Sequence, residues 1–549
     1  MIQPPVEDFY QTRQRIEPIG LAYLAASLRE KGFSPLILDC QANSKKYTIN
    51  YPSAFQYLKD FYVPENLSPF KLFGHFYHFG LSFKEIEEEI RKSGVSIFGI
   101  SSMFSTYYNE ALKVAEIIKK IDSEHIVIMG GVHASSYPLN LLKSSYVDFV
   151  ITGEGEESLP LLLENLKEGD FSKIADIDGI GYKENGNIKI NPKQKWIKNL
   201  DTIPFPARDL FKEKAYSIGK KLSTKILTSR GCPYLCSFCS VKLGMGNDFR
   251  KRSPENILEE MRFCREKFGI EAFDFEDDNL GLDREVFERL LDLIIENFGE
   301  RNLRLYAMNG ILPAVLSKPI LDKMKKAGFE NINLTLASRN EGVRSILGRP
   351  DRLEDFLKAL DLACETGIKV TGYIFLGVPG QTIQGMVDDL IFLAGKPCLI
   401  GPSIFYPVIG TPLFEEYSKK GLFDRNDFLR LRSPAFPIET EDFTRADIFT
   451  LFYLARLLNF IKSTTGPQCK IDPDHIVPGF KENYQFSSDK KLKENEIGLL
   501  LLKLFFKERD FFGARLIKKT HQKFYYEIFK ERCSRRVIDK FLEKYKKVR

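Results

Sequence analysis

The sequence predicts an α/β protein with two successive α/β domains and a mostly helical C-terminal region. Helical and strand periodicities alternate from Ile19 to about Leu200, as in a doubly wound, Rossmann-like parallel sheet with helices on both faces. A second alternating series of six strand patterns runs from Lys225 to Ser403 and predicts a partial (β/α)6 barrel of the TIM type. Beyond about Ser433 no further strand pattern follows.

Within the first series, short apolar runs alternate with amphipathic segments. Helices are predicted over Gly20–Lys31, Asn109–Ile121 and Leu139–Lys143, and strands over Pro35–Leu38, Val95–Ser101, His125–Met129 and Asp148–Thr152. The aromatic-rich segment Phe70–Phe79 is interpreted as an apolar helix packed on the sheet, with the lining of a cleft as the alternative.

A turn-rich stretch separates the two series. Asn185-Gly186 stands between alternating residues, which indicates a β-hairpin, and Pro204 and Pro206 follow it. The predicted boundaries are residues 1–185 for the first domain, 186–214 for a linker with the hairpin, 215–432 for the barrel and 433–549 for the helical region.

The second series supplies the strands of the predicted barrel. They are expected over Lys225–Thr228, Ala272–Phe275, Leu303–Ala307, Asn331–Leu336, Lys369–Phe375 and Leu399–Ser403. Ser253 before Pro254 predicts the start of a helix, because serine is favoured at the N-cap and proline in the first turn. In such a barrel the chemistry is expected in the loops that follow the strands.

Composition places the chain among globular proteins, with 43% apolar and 28% charged residues. The formal charge of +6 is mild, and Lys and Arg are interspersed with Asp and Glu, so no nucleic-acid partner is predicted. No signal-peptide core and no run of about 18 uncharged apolar residues occurs, which predicts a cytoplasmic protein without a transmembrane segment. The longest apolar run, Ile497–Phe506, is interpreted as a buried helix.

Three of the nine cysteines lie close together directly after the first barrel strand: Cys232, Cys236 and Cys239, in a CxxxCxxC spacing. Three soft thiolates at this spacing suit an iron–sulfur cluster or zinc. A structural zinc normally has a fourth protein ligand, and neither a nearby histidine nor a second CxxC pair is present. A [4Fe–4S] cubane held by three cysteines would instead leave one iron open to an outside ligand.

The other cysteines lie far apart in apolar patterns, and the odd count argues against a disulfide framework. They are predicted to be small core residues. These are Cys40, Cys264, Cys364, Cys398, Cys469 and Cys533.

The segment Ser-Arg-Gly-Cys232-Pro-Tyr-Leu-Cys236-Ser-Phe238-Cys239 resembles the signature of the radical S-adenosylmethionine (SAM) superfamily, in which an aromatic residue precedes the third cysteine. The resemblance implies a [4Fe–4S] cluster on the three cysteines and SAM chelated by the open iron. It further implies reductive cleavage of SAM to a 5′-deoxyadenosyl radical, with an external electron donor of the flavodoxin or ferredoxin type.

The same resemblance implies SAM contacts elsewhere in the barrel. Phe238 lies within the signature, and Glu276 and Asp277 follow the second strand, where the family places polar groups facing the SAM amino group. The stretch from Gly372 to Thr382 resembles the segment that packs along the adenine. Its residues Gly372, Gly377 and Pro379 are expected to contact SAM, since glycine permits close backbone approach.

One position departs from the family pattern. After the fourth strand many relatives carry Glu-Ser-Gly, whereas this chain reads Leu336-Ala337-Ser338-Arg339. The ribose-binding carboxylate is therefore missing, and Ser338 is the residue expected to meet a hydroxyl of SAM.

The N-terminal domain resembles the cobalamin (B12)-binding domain that precedes the cluster motif in one branch of the superfamily. The matching segments are Glu17–Ala25, Gly130-Gly131-Val132-His133-Ala134 and Gly153-Glu154-Gly155-Glu156. Small residues after parallel strands leave a crevice for a flat cofactor or its nucleotide tail. The cobalamin contacts that this resemblance implies are Ser101, Ser102, Gly130, Gly131, Val132, His133, Gly153, Glu154 and Gly155.

Two features of this domain differ from the usual pattern. No Asp-x-His-x-x-Gly occurs, so no histidine is expected to replace the lower cobalt ligand, and His133 is expected to act as a loop hydrogen-bonder. The strand that usually opens such a domain has almost no room before Gln3. This implies either a differently built sheet edge or a degenerate cobalamin site.

Taken together, the resemblances imply a radical SAM enzyme that is cobalamin-dependent, such as a C-methyltransferase acting on a small molecule or natural product. One alternative keeps the radical but catalyses cyclisation, rearrangement or oxidation without methyl transfer. Another is a non-catalytic sensor that binds a corrinoid or a cluster.

Overall fold

The computed structural model describes residues 1–10, 17–42, 45–64, 66–212, 216–465, 502, 515–519, 522–526 and 533–547. The chain divides into two compact units. Unit 1 comprises Met1–Ile49, Tyr77–Ile332 and Pro407–Leu431. Unit 2 comprises Asn50–Phe76, Asn333–Tyr406 and Arg432–Arg549.

The N-terminal part of the chain alternates strands and helices. The strands are β1 Ile2–Gln3, β2 Val6–Asp8, β3 Leu38–Asp39, β4 Lys46–Ile49, β5 Phe76–Phe79, β6 Ile97–Ser101, β7 Ile126–Gly130, β8 Phe149–Ile151, β9 Ile180–Glu184 and β10 Asn187–Ile190. The helices are α1 Ile19–Glu30, α2 Phe83–Ser93, α3 Tyr108–Ile121, α4 Val132–Ser136, α5 Pro138–Lys143 and α6 Ser158–Glu168.

In the described part of unit 1, seven strands form one sheet in the order β10-β9-β8-β7-β6-β1-β3. The strands from β8 to β3 along this order are parallel. Successive residues of β7 enter opposite cores: Val127 and Met129 pack on one face, and Ile128 packs on the other. A strand buried on both faces explains the unbroken apolar run in the sequence.

The predicted alternation is confirmed, and two local predictions are corrected. The strand expected at Pro35–Leu38 is only Leu38–Asp39. The helix expected at Phe70–Phe79 is wrong, because Phe76–Phe79 is a strand that pairs with β2. The opening strand of the sheet is β1, whose Ile2 lies opposite Leu38 and Ile100.

The predicted hairpin forms at Asn185-Gly186, and both residues have the positive φ, 51° and 78°, that a tight two-residue turn requires. Its strands β9 and β10 extend the seven-stranded sheet in antiparallel fashion. The sheet of the first domain therefore continues to Ile190.

The next part of unit 1 contains β11 Ser217–Ile218, β12 Lys221–Ile226, β13 Ser229–Arg230, β14 Arg250–Lys251, β15 Ala272–Phe275 and β16 Arg304–Tyr306. Its helices are α7 Val241–Met245, α8 Pro254–Phe268, α9 Arg284–Phe298 and α10 Lys318–Ala327. Strands β12, β15 and β16 are parallel neighbours. Ser253 caps α8 by accepting a hydrogen bond from Asn256 N at 3.2 Å, as the sequence predicts.

The remaining predicted barrel strands are β17 Asn331–Ala337, β18 Lys369–Leu376 and β19 Leu399–Ile404, which form a sheet in that order. The helices that follow them are α11 Glu341–Ile346, α12 Leu353–Thr366, α13 Ile383–Ala394 and α14 Pro412–Lys419. All six predicted barrel strands are thus present in the predicted order, and a helix follows each along the chain.

The C-terminal region is mostly helical, with α15 Arg445–Thr465 and α16 Arg535–Lys547. It also holds a hairpin of β20 Arg515–Lys519 and β21 Gln522–Tyr526, so the expectation of no strands beyond Ser433 is corrected. The predicted helix at Ile497–Phe506 lies outside the described residues except for Leu502, which is helical and buried. None of the described helices is long and apolar enough to cross a membrane.

The scattered cysteines occupy the interior as predicted. Cys40, Cys264, Cys398 and Cys533 are buried, and Cys364 is half-buried. Cys469 lies outside the described residues.

Candidate cofactor-binding site

The three closely spaced cysteines lie on the segment 231–249, which leaves from β13 and returns at β14. Because β13 and β14 pair antiparallel, with Arg230 opposite Arg250, the segment has a narrow neck. Gly231 at this neck has a φ of +80°, and a Cβ atom there would lie 2.3 Å from the Asp248 carbonyl oxygen. Only glycine permits this close approach.

The thiols of the segment influence one another electrostatically. Desolvation raises the pKa of Cys239 to about 11, and Cys236, Asp278 and Cys232 add to the effect. All three cysteines are half-buried, and Cys239 N donates to the Cys236 carbonyl oxygen at 3.1 Å. Within the described ranges, no group of three His, Cys, Asp or Glu side chains is arranged to ligate a single metal ion.

The thiol set fits an iron–sulfur cluster by its chemistry. Thiols with a raised pKa bind metal by releasing their protons, since a bound cation reverses the local preference for the neutral form. Three neighbouring sulfurs on one half-buried loop supply three ligands and leave room for a non-protein ligand.

Asn279 is a site residue that the sequence reasoning did not single out. It is buried, and its Nδ2 donates to Cys232 Sγ at 3.7 Å. Amide donors to cluster sulfurs are known to tune such centres. The only sequence signal is its position, three residues after Glu276 in the loop that follows β15.

The two acidic residues expected to face SAM have different surroundings. Asp277 is buried, and its carboxylate accepts hydrogen bonds from Thr228 and Ser229, including Thr228 Oγ1 at 2.7 Å. Those donors hold the Asp277 carboxylate in place, and its expected contact with SAM stays a prediction. Glu276 is half-buried and lies 3.3 Å from Lys225 Nζ.

Glu276 belongs to a polar group at the ends of β12, β15 and β16. Its Oε2 accepts from Asn309 Nδ2 at 3.1 Å. Burial and the neighbouring Glu276 carboxylate raise the pKa of Asp274, which is buried on β15 opposite Lys225. Lys225 therefore lies beside the carboxyl groups of Asp274 and Glu276. These carboxyl groups can accept hydrogen bonds from a ligand.

Phe238 is half-buried within the cysteine segment of unit 1. The other residues expected to bind SAM lie in unit 2. Gly377 has a φ of +85°, and Pro379 follows it in the turn after β18. Gly372 packs towards helices, because a Cβ there would lie 3.1 Å from Phe356 and 3.2 Å from Leu393. The expected contact of Gly372 with SAM stays a prediction.

Ser338 is buried in unit 2 and donates to Asp389 Oδ2 at 2.6 Å. Asp389 also accepts from Arg339 N at 2.8 Å. Burial raises the pKa of Asp389 to about 6. The Asp389 carboxyl group on α13 thus accepts a hydrogen bond from Ser338. The end of β17 itself lacks the acidic residue that many relatives carry. No sequence pattern marks Asp389.

The crevice expected to receive cobalamin lies at the C-terminal ends of β6 and β7, where Ser101 pairs with Gly130. Gly131 has a φ of +111°, and a Cβ there would lie 2.7 Å from the Ser102 carbonyl oxygen. Ser102 Oγ is buried and has no hydrogen-bond partner among the described residues. An unsatisfied hydroxyl at this edge fits a polar ligand group.

Two further residues of the crevice, Val132 and His133, are the first two residues of α4. His133 is 1% exposed and packs against Tyr108 and Phe428, with ring centroids 5.5 and 5.8 Å away. Its Nδ1 lies 2.9 Å from Ser105 Oγ. Burial lowers the pKa of His133 to about 4, so the ring is neutral at pH 7.

The loop Gly153–Gly155 is filled by protein. A Cβ on Gly153 would lie 2.8 Å from the Lys193 side chain, and one on Gly155 would lie 3.0 Å from Leu24. Glu154 is 3% exposed and accepts hydrogen bonds from Arg230 and Arg250. The expectation that Gly153, Glu154 and Gly155 contact cobalamin stays a prediction.

Comparison with protein families gives two matches. Residues 226–393 match the radical SAM superfamily model. Residues 74–163 match the B12 binding domain model. The two matches occur in the order expected from the sequence, with the B12-binding domain first.

Several curated proteins are similar in sequence. An uncharacterized methyltransferase of Pyrococcus horikoshii is 29% identical, over 57% of this chain and 67% of its own length. The cytidylyl-2-hydroxyethylphosphonate methyltransferase of Streptomyces wedmorensis is 26% identical, over 75% of this chain and 80% of its own. An anaerobic magnesium-protoporphyrin IX monomethyl ester cyclase of Rubrivivax gelatinosus is 24% identical, over 62% of this chain and 61% of its own.

Among solved structures, the radical SAM methyltransferase TsrM from Kitasatospora setae, with cobalamin and a [4Fe-4S] cluster bound, aligns with a TM-score of 0.57. The alignment covers 76% of this chain and 74% of TsrM at 17% identity, which shows a shared fold. The family models imply a [4Fe–4S] cluster, SAM and cobalamin as cofactors. The chain therefore contains a segment that matches the radical SAM superfamily model, preceded by a segment that matches the B12 binding domain model.

Proposed function

We propose that this protein is a cobalamin-dependent radical SAM methyltransferase that acts on a small molecule or natural product. The observation that carries the proposal is the half-buried trio Cys232, Cys236 and Cys239 between β13 and β14, in a chain whose B12-binding segment comes first. When bound, the cluster supplies an electron that cleaves SAM to a 5′-deoxyadenosyl radical, and cobalamin carries the methyl group.

The chain's own residues hold and orient these groups. Cys232, Cys236 and Cys239 ligate the cluster, and the Asn279 amide donates to the sulfur of Cys232. Glu276 faces the SAM amino group, with Lys225 fixing the orientation of its carboxylate. Phe238 supplies a further contact to SAM. The SAM contacts of Ser338, Gly377 and Pro379 stay predictions from the resemblance.

The crevice at the ends of β6 and β7 receives the cobalamin. Ser101, Ser102, Gly130 and Gly131 line it, and the unsatisfied Ser102 hydroxyl donates to a polar group of the cofactor. Val132 and His133 support the crevice at the start of α4.

The reaction needs an external one-electron donor of the flavodoxin or ferredoxin type. Free thiols and a reduced cluster persist in a reducing compartment, so a cytoplasmic site of action goes with this proposal.

A second candidate is radical cyclisation, rearrangement or oxidation without methyl transfer. The similarity to the Rubrivivax gelatinosus cyclase favours it. A methyltransferase must convert SAM to both 5′-deoxyadenosine and S-adenosylhomocysteine, whereas an enzyme without methyl transfer forms no S-adenosylhomocysteine.

Anaerobically reconstituted protein supplied with hydroxocobalamin, SAM and a reductant tests the proposal. We expect about one cobalamin per chain and both SAM products by mass spectrometry. Iron uptake without cobalamin uptake would contradict cobalamin dependence, and 5′-deoxyadenosine without S-adenosylhomocysteine would favour the second candidate.

A further inference from the structure

One buried carboxylate in unit 1 joins both sides of the neck of the cysteine segment. Glu154 Oε1 lies 3.0 Å from Arg230 Nη1 and 2.8 Å from Arg250 Nη1. Arg230 and Arg250 are cross-strand partners on β13 and β14. The chain therefore enters the cysteine segment at Arg230 and leaves it at Arg250, and both residues are hydrogen-bonded to Glu154.

All three members of this network are removed from water. Their exposed fractions are 3% for Glu154, 5% for Arg230 and 7% for Arg250. Charge-assisted hydrogen bonds in a desolvated setting are short and strong, and they fix side-chain geometry. The neck is consequently held by a rigid contact and not by a solvated ion pair.

Further contacts fix the same neck. Arg230 Nη2 donates to Glu156 at 2.6 Å, and Arg230 outweighs the effect of burial so that the pKa of Glu156 is lowered. Arg250 Nη2 donates to the Met245 carbonyl oxygen at 2.6 Å, at the end of α7. The guanidinium of Arg250 also lies over the Trp196 ring, 5.6 Å from its centroid.

Both glutamates come from the loop after β8, the last parallel strand of the B12-binding domain sheet. We propose that Glu154 is a positioning residue, which fixes the cluster-binding segment 231–249 against this sheet and does not contact cobalamin. The inference rests on the proposed function for its link to SAM cleavage. Its structural part concerns the protein alone.

The variant Glu154→Gln tests the inference, because glutamine keeps the shape and removes the charge. In cofactor-free protein we expect amide hydrogen exchange over residues 229–251 to become about tenfold faster. In reconstituted protein we expect 5′-deoxyadenosine release to fall about tenfold, since a small displacement of a reacting group has a large effect on rate. Uptake of hydroxocobalamin should stay within about twofold of the unmodified protein.

Glu260→Gln is the matched control. Glu260 is a fully buried carboxylate between two arginines, 2.7 Å from Arg208 and 2.5 Å from Arg252, on α8 of the same unit. The variant Glu260→Gln should lower the melting temperature as much as Glu154→Gln does, without changing 5′-deoxyadenosine release. This separates positioning of the cluster from general stability.

Arg250→Lys serves if Glu154→Gln does not fold. The single ammonium keeps the charge but cannot span Glu154 and the Met245 carbonyl together. We expect about threefold slower 5′-deoxyadenosine release and faster exchange over 229–251.

Loss of cobalamin uptake in Glu154→Gln, with unchanged exchange over 229–251, would overturn the inference and make Glu154 a cofactor contact. Unchanged exchange and unchanged 5′-deoxyadenosine release would also overturn it. If the unmodified protein releases no 5′-deoxyadenosine, the proposed function fails, while the exchange measurement still decides the positioning role.

Discussion

Three neighbouring polar residues after β15 have three different surroundings. Asp277 is buried against Thr228 and Ser229, Glu276 is half-buried beside Lys225, and Asn279 points to Cys232. From the sequence alone, these residues are only part of an acidic stretch that follows a strand. Which side chain is available to a ligand depends on tertiary hydrogen bonds, so the sequence could predict the location of the site but not the division of roles.

The Asn279 amide gives a first prediction at this scale. A donor to a cluster sulfur stabilises the extra negative charge of the reduced state, so Asn279→Ala should lower the midpoint potential of the reconstituted cluster. Loss of one hydrogen bond of about 1 kcal/mol corresponds to about 40 mV for one electron. A redox titration followed by electron paramagnetic resonance measures the shift.

Asn302→Ala is the control for that titration. Asn302 Nδ2 donates to the Phe298 carbonyl oxygen at the end of α9, so its loss should leave the potential unchanged. Equal potentials for Asn279→Ala and the unmodified protein would show that the amide does not act on the cluster.

His133 gives a prediction for pH dependence. Burial lowers its pKa to about 4, while an unfolded histidine has a pKa of about 6.5. Between these values the unfolded chain binds the proton first, so the free energy of unfolding falls as the pH falls from about 6.5 to 4. The loss attributable to His133 is about 3 kcal/mol.

Chemical denaturation of cofactor-free protein at pH 7, 5.5 and 4.5 measures this effect. The variant His133→Phe should lose less stability over the same range, because phenylalanine binds no proton. Parallel pH profiles for the two proteins would show that another group carries the acid sensitivity.

The secondary-structure elements show where sequence patterns suffice. Strands buried on both faces, such as β7 and β8, are continuous apolar runs in the sequence and are predicted within two residues. Short strands such as β1 and β3 are two residues long and carry too little pattern to be recognised. The sequence does not predict the aromatic strand β5, because periodicity alone cannot distinguish a strand from a helix in a short apolar run.

The neck of the cysteine segment gives a prediction at the scale of an element. In Gly231→Ala the new Cβ would lie 2.3 Å from the Asp248 carbonyl oxygen, at a φ of +80°. We expect a loss of more than about 2 kcal/mol in the free energy of unfolding, and less iron per chain after reconstitution.

Gly269→Ala is the matched control, at the C-terminal cap of α8. Its φ is +67°, and a Cβ would meet nothing within 4 Å. It should cost about 1 kcal/mol from backbone strain alone and leave the iron content unchanged. Equal iron content in the two variants would mean that the neck does not shape the cluster loop.

At the scale of the whole molecule, the order of domains was predictable and the contacts between distant segments were not. Apolar periodicity and the CxxxCxxC spacing are local, so both α/β domains and the cysteine site could be predicted from the sequence. The network of Glu154 with Arg230 and Arg250 joins residues up to 96 positions apart. No local pattern reports such a pairing, so the sequence alone does not predict it.

The central claim is that Cys232, Cys236 and Cys239 hold a cluster that cleaves SAM. Release of 5′-deoxyadenosine from SAM under anaerobic, reducing conditions measures it most directly, in the unmodified protein, in Cys232→Ala and in the distant control Cys364→Ala. We predict release from the unmodified protein and from Cys364→Ala, and a loss of at least about a hundredfold in Cys232→Ala, which should still bind cobalamin. No release from the unmodified protein with a full complement of iron, or equal release from Cys232→Ala, would contradict the account.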